Sequence, residues 1–159
     1  MNNNKYQADI YKAYQEELGG EVFFEALGEL FEAPEQAYKL RVLAQLERET
    51  AQRLKPLVTR YGFDPALDAG LHQESLQEAT DYFRRSWGGF LSSLGGSLPR
   101  YIGEYRRLET IAPADDLPAL HALTLHEEAL LQFVECEMNG QSDRALESVL
   151  DLLTQVPSR

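Results

Sequence analysis

The sequence predicts an all-α protein. Four long helices form two antiparallel hairpins joined by a long crossover that holds an extra helix, and a short helix follows at the C-terminal end. Three observations predict this. Strand signals are nearly absent, with no alternating Val/Ile/Thr run and no turn dipeptide between two such runs. Apolar residues recur at helical spacing through several long segments. The connections within each pair of long segments are very short, whereas the stretch 62–96 between the pairs is long.

Segment A runs from about Lys5 to Phe31, with Asn3 or Asn4 as its N-cap. Pro34 stands where a first helical position falls, and segment B runs from it to about Tyr61, stopping at Tyr61-Gly62-Phe63-Asp64-Pro65. Pro56 near the end of B predicts a kink or a new turn. A helix follows around Gln73 to Trp87, after which Gly88-Gly89 and Gly95-Gly96 predict an interruption or a close helix crossing. Segment C spans about Ser97 to Ile111, with Pro99 in its first turn. Segment D spans about Asp116 to Asn139, where Asn139-Gly140 reads as a C-terminal stop. A last helix covers about Ser142 to Gln155, with Ser142 as its cap. Only Glu32-Ala33 separates A from B, and only residues 112–115 separate C from D, so each pair must fold back on itself. Two hairpins with one long connection make a four-helix bundle with a crossover.

The 159 residues, 43% of them hydrophobic, suit one helical domain over residues 1–159 with a core of its own. Fifteen basic against 26 acidic side chains leave a net charge of −11, which disfavours nucleic acid and anionic lipid as partners. Cys136 stands alone, so neither an internal disulfide nor a zinc site of several thiolates can form. No apolar run approaches the roughly 20 residues of a membrane span, and the N-terminal residues lack a signal-peptide core. A cytoplasmic protein without a membrane partner is the expectation. No nucleophile elbow, Walker loop or dinucleotide fingerprint is present.

Helices in a bundle pack on a seam that repeats about every 3.5 residues. In B the seam is Leu40, Leu43, Glu47, Thr50, Leu54, Leu57 and Tyr61, apolar except at its middle. In A a matching seam is Ile10, Tyr14, Glu17, Glu21, Phe24, Gly28 and Phe31; another stripe, Tyr11, Leu18, Val22 and Phe23, competes for the core. In C it is Leu94, Ser97, Tyr101, Glu104, Leu108 and Ile111, and in D Leu120, Leu123 or Thr124, Glu127, Leu131, Val134 and Met138. Each helix thus sets a carboxylate where Leu is expected, and a buried carboxylate must be paired, protonated or metal-bound. Helix lengths place Glu21 level with Glu47. Glu127 is level with Tyr101, leaving Glu104 about 5 Å out of register. Gly19-Gly20 costs roughly 1 kcal/mol each against Ala, which predicts close backbone packing or a bulge beside Glu21. Tyr14 and Tyr101 on the seams either bond inward carboxylates or fill the core with their hydroxyls reaching outward.

Gly20-Glu21 in the first helix, Leu46-Glu47-Arg48-Glu49-Thr50-Ala51-Gln52-Arg53-Leu54 in the second, and Leu125-His126-Glu127-Glu128-Ala129-Leu130-Leu131 in D resemble the rubrerythrin branch of the ferritin-like superfamily. The resemblance covers roughly Lys5 to Asn139 and implies a ferritin-like fold with a metal site. That family takes a Glu from A and from C, and a Glu-x-x-His from B and from D. Carried over, the ligands are Glu21, Glu47, Glu104 and Glu127, and the ion is divalent, iron or manganese. Both histidines of the motif are replaced, by Thr50 and Leu130. Carboxylates still suit a hard divalent ion, but losing both imidazoles argues against stable redox iron.

Of the three histidines, His126 beside Glu127 is a displaced-ligand candidate or a boundary residue. His121 is five positions away, about 140° around the helix, and cannot join it on one ion. His72 lies in the crossover without an evident partner, and Cys136 reads as a small buried side chain. Two functions follow. One is a metal-binding bundle with a redox or metal-handling role, implied by the resemblance. The other is a metal-free bundle serving as an oligomerising or protein-interaction module. Catalytic residues and substrate are unknown at this level. The second apolar stripe of A predicts a homodimer.

Overall fold

The structure, a computed structural model, describes residues 3–155. It is all-α, with helices α1 (Asn3–Leu30), α2 (Pro34–Arg60), α3 (Ala69–Arg84), α4 (Ser86–Ile111), α5 (Leu117–Met138) and α6 (Glu147–Thr154). Short 3₁₀ turns lie at Ala114–Asp116 and Ser142–Arg144. No described helix is long and apolar enough to cross a membrane.

Helix α1 already includes Asn3 and Asn4, so the residue that caps it lies outside the described residues. Pro34 opens α2 behind an extended Ala33, where its fixed φ and missing N–H cost nothing. Pro56 stays inside α2 rather than ending it. The helix ends where the sequence indicates: Gly62 takes a positive φ of 87°, and Phe63 N–H donates to Val58 O at 3.0 Å. Gly140, at φ 78°, closes α5 in the same way, with Gln141 N–H donating to Cys136 O.

The direction of each helix follows from its contacts. Helices α1 and α2 pack as the expected hairpin, and α3 then runs back alongside α1. Leu71 and Ser75 lie against Gly19, the Tyr82 ring meets Phe23, and Phe83 meets Phe31. Helix α4 starts beside Phe31 through Trp87 and returns until Arg107 reaches Asp9. Helix α5 is antiparallel to α4, from the Glu109–Thr124 hydrogen bond to the Trp87–Glu137 one. The second hairpin packs on the first through α2 and α5, and α3 occupies the crossover.

The structure decides three open expectations about elements. The two glycine pairs do not interrupt the chain: α4 begins at Ser86 and runs through Gly88, Gly89, Gly95, Gly96 and Pro99. Packing against α5 outweighs weak local propensity. A Cβ on Gly95 would come 3.0 Å from Val134 Cγ1, so the glycine permits that approach. The break falls earlier: Arg85 alone separates α3 from α4, and Ser86, the first residue of α4, turns the chain with a φ of 68°. Ser142 starts a 3₁₀ turn and does not cap α6. The second stripe of α1 is partly used within the chain, since Tyr11 stacks on Phe63 and Leu18 packs against the core.

The core comes in two apolar clusters. One gathers Ile10, Tyr14, Leu54, Leu57, Leu108, Leu120 and Leu123. The other gathers Phe24, Leu27, Leu40, Leu43, Phe90, Phe133 and Val134. Along α1, α2 and α5 the residues between the two clusters include Glu17, Glu47, Thr50, Thr124, His126 and Glu127, all buried. A buried polar layer therefore separates two apolar halves.

Candidate metal centre

On α2 the seam is as the sequence indicates, and it delivers Glu47 into the interior. On α1 the buried positions are Tyr6, Ile10, Ala13, Tyr14, Gln15, Glu17, Gly19, Phe24, Leu27 and Gly28. Of the two half-buried residues Gly20 and Glu21, Gly20 faces Glu47 and Glu21 turns to Arg48. Gly20 thus opens the space that Glu47 fills. A Cβ on Gly20 would overlap Glu47 Oε1 and lie 3.0 Å from its Cδ. On α5, consecutive residues His126 and Glu127 are both buried, because that helix packs on α2 and α4 at once.

These side chains converge. His126 Nε2 contacts Glu47 Oε2 directly and lies 3.0 Å from Glu17 Oε1. One ligand atom each from Glu17, Glu47 and His126 all fall within 4.8 Å of one another. Glu17 and His126 are 2% and 1% exposed. Glu127 Oε1 lies 3.4 Å from His126 Nδ1. Nδ1 also lies 3.1 Å from Leu123 O, which can only accept, so Nδ1 carries the proton. In a neutral ring Nε2 then points a lone pair at two carboxylates. Glu17 Oε1 receives no hydrogen bond despite complete burial.

Such an arrangement needs positive charge. Burial disfavours the imidazolium of His126, yet Glu17, Glu47 and Glu127 outweigh that and raise its pKa well above the ordinary histidine range. Burial raises Glu17 far above the carboxylate range, and Glu47 and Glu127 add to this against the opposing His126. Glu127 is pushed up to about 7 by burial, with His126 opposing and Glu47 and Glu16 adding. Burial, together with Glu17, Glu127 and Glu16, holds the Tyr105 phenol far above its ordinary value, so it stays O–H.

Among the residues proposed from sequence, the structure brings Glu47, Glu127 and His126 together and leaves out two. Glu21 sits at the edge of the helix pair, bonded by Arg48 Nε at 2.7 Å. Glu104 is 46% exposed on its side chain and paired with Arg107 at 2.6 Å. The inward position of α4 is the next residue, Tyr105, about 100° around the helix. Ile111 and Met138, expected on seams, are exposed. Thr50, in the motif position of a histidine, donates to Leu46 O within its own helix. Tyr14 bonds Pro65 O rather than a carboxylate, and Tyr101 reaches Glu16 at 3.5 Å. His121 faces Glu109 at the surface, His72 is exposed, and Cys136 is buried. Glu17 lies on the seam of A, but the family pattern points to Glu21 in its place. The signal that could have selected it is Gly20, a residue without a side chain at the next seam position.

Comparison with known proteins finds no family model, curated protein or solved structure that matches this chain. The case for a function therefore rests on the site itself.

Proposed function

We propose that this chain is a ferritin-like four-helix-bundle protein that binds one divalent metal ion, with Glu17, Glu47 and His126 as its ligands and Glu127 beside them. The observation that carries the reading is the commitment of His126 Nδ1 to Leu123 O, which leaves Nε2 facing two buried carboxylates. Metal-ligating histidines are held in this way, with the second ring nitrogen donating to a carbonyl or carboxylate. Two further features fit a cation: Glu17 Oε1 without a donor, and the Gly20 cradle that admits the Glu47 carboxylate. One imidazole and two carboxylates suit manganese, iron or zinc better than calcium. The charges of Glu17 and Glu47 balance a dication with a neutral imidazole. When bound, such an ion supplies Lewis acidity and, for iron or manganese, one-electron chemistry. The chain's own residues bury the ligands, orient His126 through Leu123, and keep Tyr105 protonated nearby.

The rival reading is a metal-free cluster, in which a second proton on His126 does the work of the ion. Its direct contact with Glu47 favours this. Titration calorimetry separates the two. Chelator-stripped protein, titrated with Mn(II) or anaerobically with Fe(II), should bind one ion per chain. Glu17→Gln, Glu47→Gln and His126→Gln should each weaken binding by more than about tenfold. Glu21→Gln and Glu104→Gln should not. Stripped, folded protein that binds neither ion would sink the metal reading.

A further inference from the structure

A cavity of about 590 Å³ lies between α1, α3, α4 and α5, with Glu17, Glu47 and Glu127 at its buried base. A single ion needs far less room, whereas small-molecule sites commonly span about 300–1,000 Å³. Its walls are mixed, with Phe23, Phe24, Leu71 and Leu98 in their apolar part. The charged residues are one-sided: Glu16, Glu17, Glu47, Glu74, Glu78 and Glu127 against Arg100, whose guanidinium is drawn over the Tyr101 ring at 5.0 Å.

The base is short of donors. Glu17 Oε1 receives no hydrogen bond. Glu127 has one polar contact among the described residues, the 3.4 Å approach to His126 Nδ1, and that N–H is already directed at Leu123 O. A buried acceptor without a donor selects a ligand that brings N–H groups, and a positive ligand also favours the ionised form of carboxyls that hold their protons in its absence. An ammonium offers three donors and a charge, an alcohol one donor and no charge, and a carboxylate or phosphate is repelled.

We propose that this cavity binds an organic amine, its ammonium on Glu127 and Glu17 and its apolar body along Phe23, Phe24, Leu71 and Leu98. The inference goes beyond the metal reading; the two share Glu17, so amine and ion compete for that carboxylate, whereas Glu127 and Glu16 are acceptors that no ion ligation uses.

A matched series tests it: 4-phenylbutylamine, 4-phenylbutan-1-ol and 4-phenylbutyrate, titrated into chelator-stripped protein with calorimetry as the readout. The amine should bind about tenfold or more tighter than the alcohol, and the carboxylate should not bind. Glu127→Gln should weaken the amine by about tenfold while leaving the alcohol unchanged. Ser97→Trp, which fills the cavity from α4, should abolish binding of both, with helical content retained by circular dichroism. Equal affinity for amine and alcohol, no binding of the amine, or unchanged amine affinity in Glu127→Gln would each overturn the proposal. Metal titration of the same stripped protein is scored separately, so either result can fail alone.

Discussion

Gly20 and Glu47 share one space: the missing side chain on α1 is where the carboxylate of α2 enters the interior. A Cβ built on Gly20 overlaps Glu47 Oε1 and approaches its Cδ to 3.0 Å, so an alanine there forces the Glu47 carboxylate to shift away from His126. In an exposed helix, Gly→Ala gains about 1 kcal/mol. Here Gly20→Ala should instead destabilise by about 1–3 kcal/mol, the usual cost of overpacking. Combining it with Glu47→Ala should cost less than the sum of the two, as contacting residues do not add. Denaturant unfolding of the four proteins checks this, and a Gly20→Ala variant that is stabilised would place Glu47 elsewhere.

The pH dependence of the stripped protein follows from Glu127. Its folded pKa of about 7 lies above the unfolded carboxylate value near 4.3, so the folded state holds more protons between the two. Stability from this group is therefore full at low pH and is lost as pH rises through about 7. Glu127→Gln, which cannot ionise, should melt like the parent at pH 5 and above it at pH 8. A melting difference that shrinks with rising pH would contradict the burial of this carboxylate.

Metal loading should reverse that trend. An ion competes with protons for His126 and Glu17, both of which hold protons more tightly than usual when no cation is present. Apparent affinity for Mn(II) should rise steadily from pH 5.5 to pH 8, and melting of the loaded protein should rise with it by mass action. Calorimetry at three pH values in one buffer series reads this directly. An affinity flat over that range would mean that the ion binds away from the cluster.

Asp116 is a buried carboxylate apart from the cluster, and it ties helices together. Asp116 Oδ2 accepts from Tyr6 OH at 2.8 Å and from Tyr61 OH, and Oδ1 pairs with Arg60, joining α1, the end of α2 and the start of α5. Tyr6→Phe removes one donor from a fully buried anion and should cost about 1.5–3 kcal/mol. It should leave metal affinity unchanged, because the apolar cluster of Ile10, Leu54 and Leu120 lies between the two sites. Urea unfolding paired with a metal titration tests both halves.

Much of this architecture was legible in residue order. Pro34 and Gly62 bound α2, and the short link between α1 and α2 forces a hairpin. The seam of α2, apolar on both sides of Glu47, identified one buried carboxylate without reference to any partner. His126 was visible only as a neighbour of Glu127, since nothing in the sequence says that α5 is covered on more than one side.

The sequence by itself determined the helices and hairpins, because turn chemistry and apolar period act within a few residues of chain. Only the tertiary structure decided which carboxylates meet. A heptad-like seam advances by three or four, and after Glu17 those two steps lead to Gly20 or Glu21, a difference of about 100° around the helix. Local propensity opposes Gly20, and the Glu-rich chain offers Glu21 as readily. The choice is made by α2, whose Glu47 needs the volume that only a glycine leaves, and by Arg48, which holds Glu21 at the edge. In α4 the same ambiguity of one residue turns Glu104 to solvent and Tyr105 inward, because the packing of α4 along α5 sets its face.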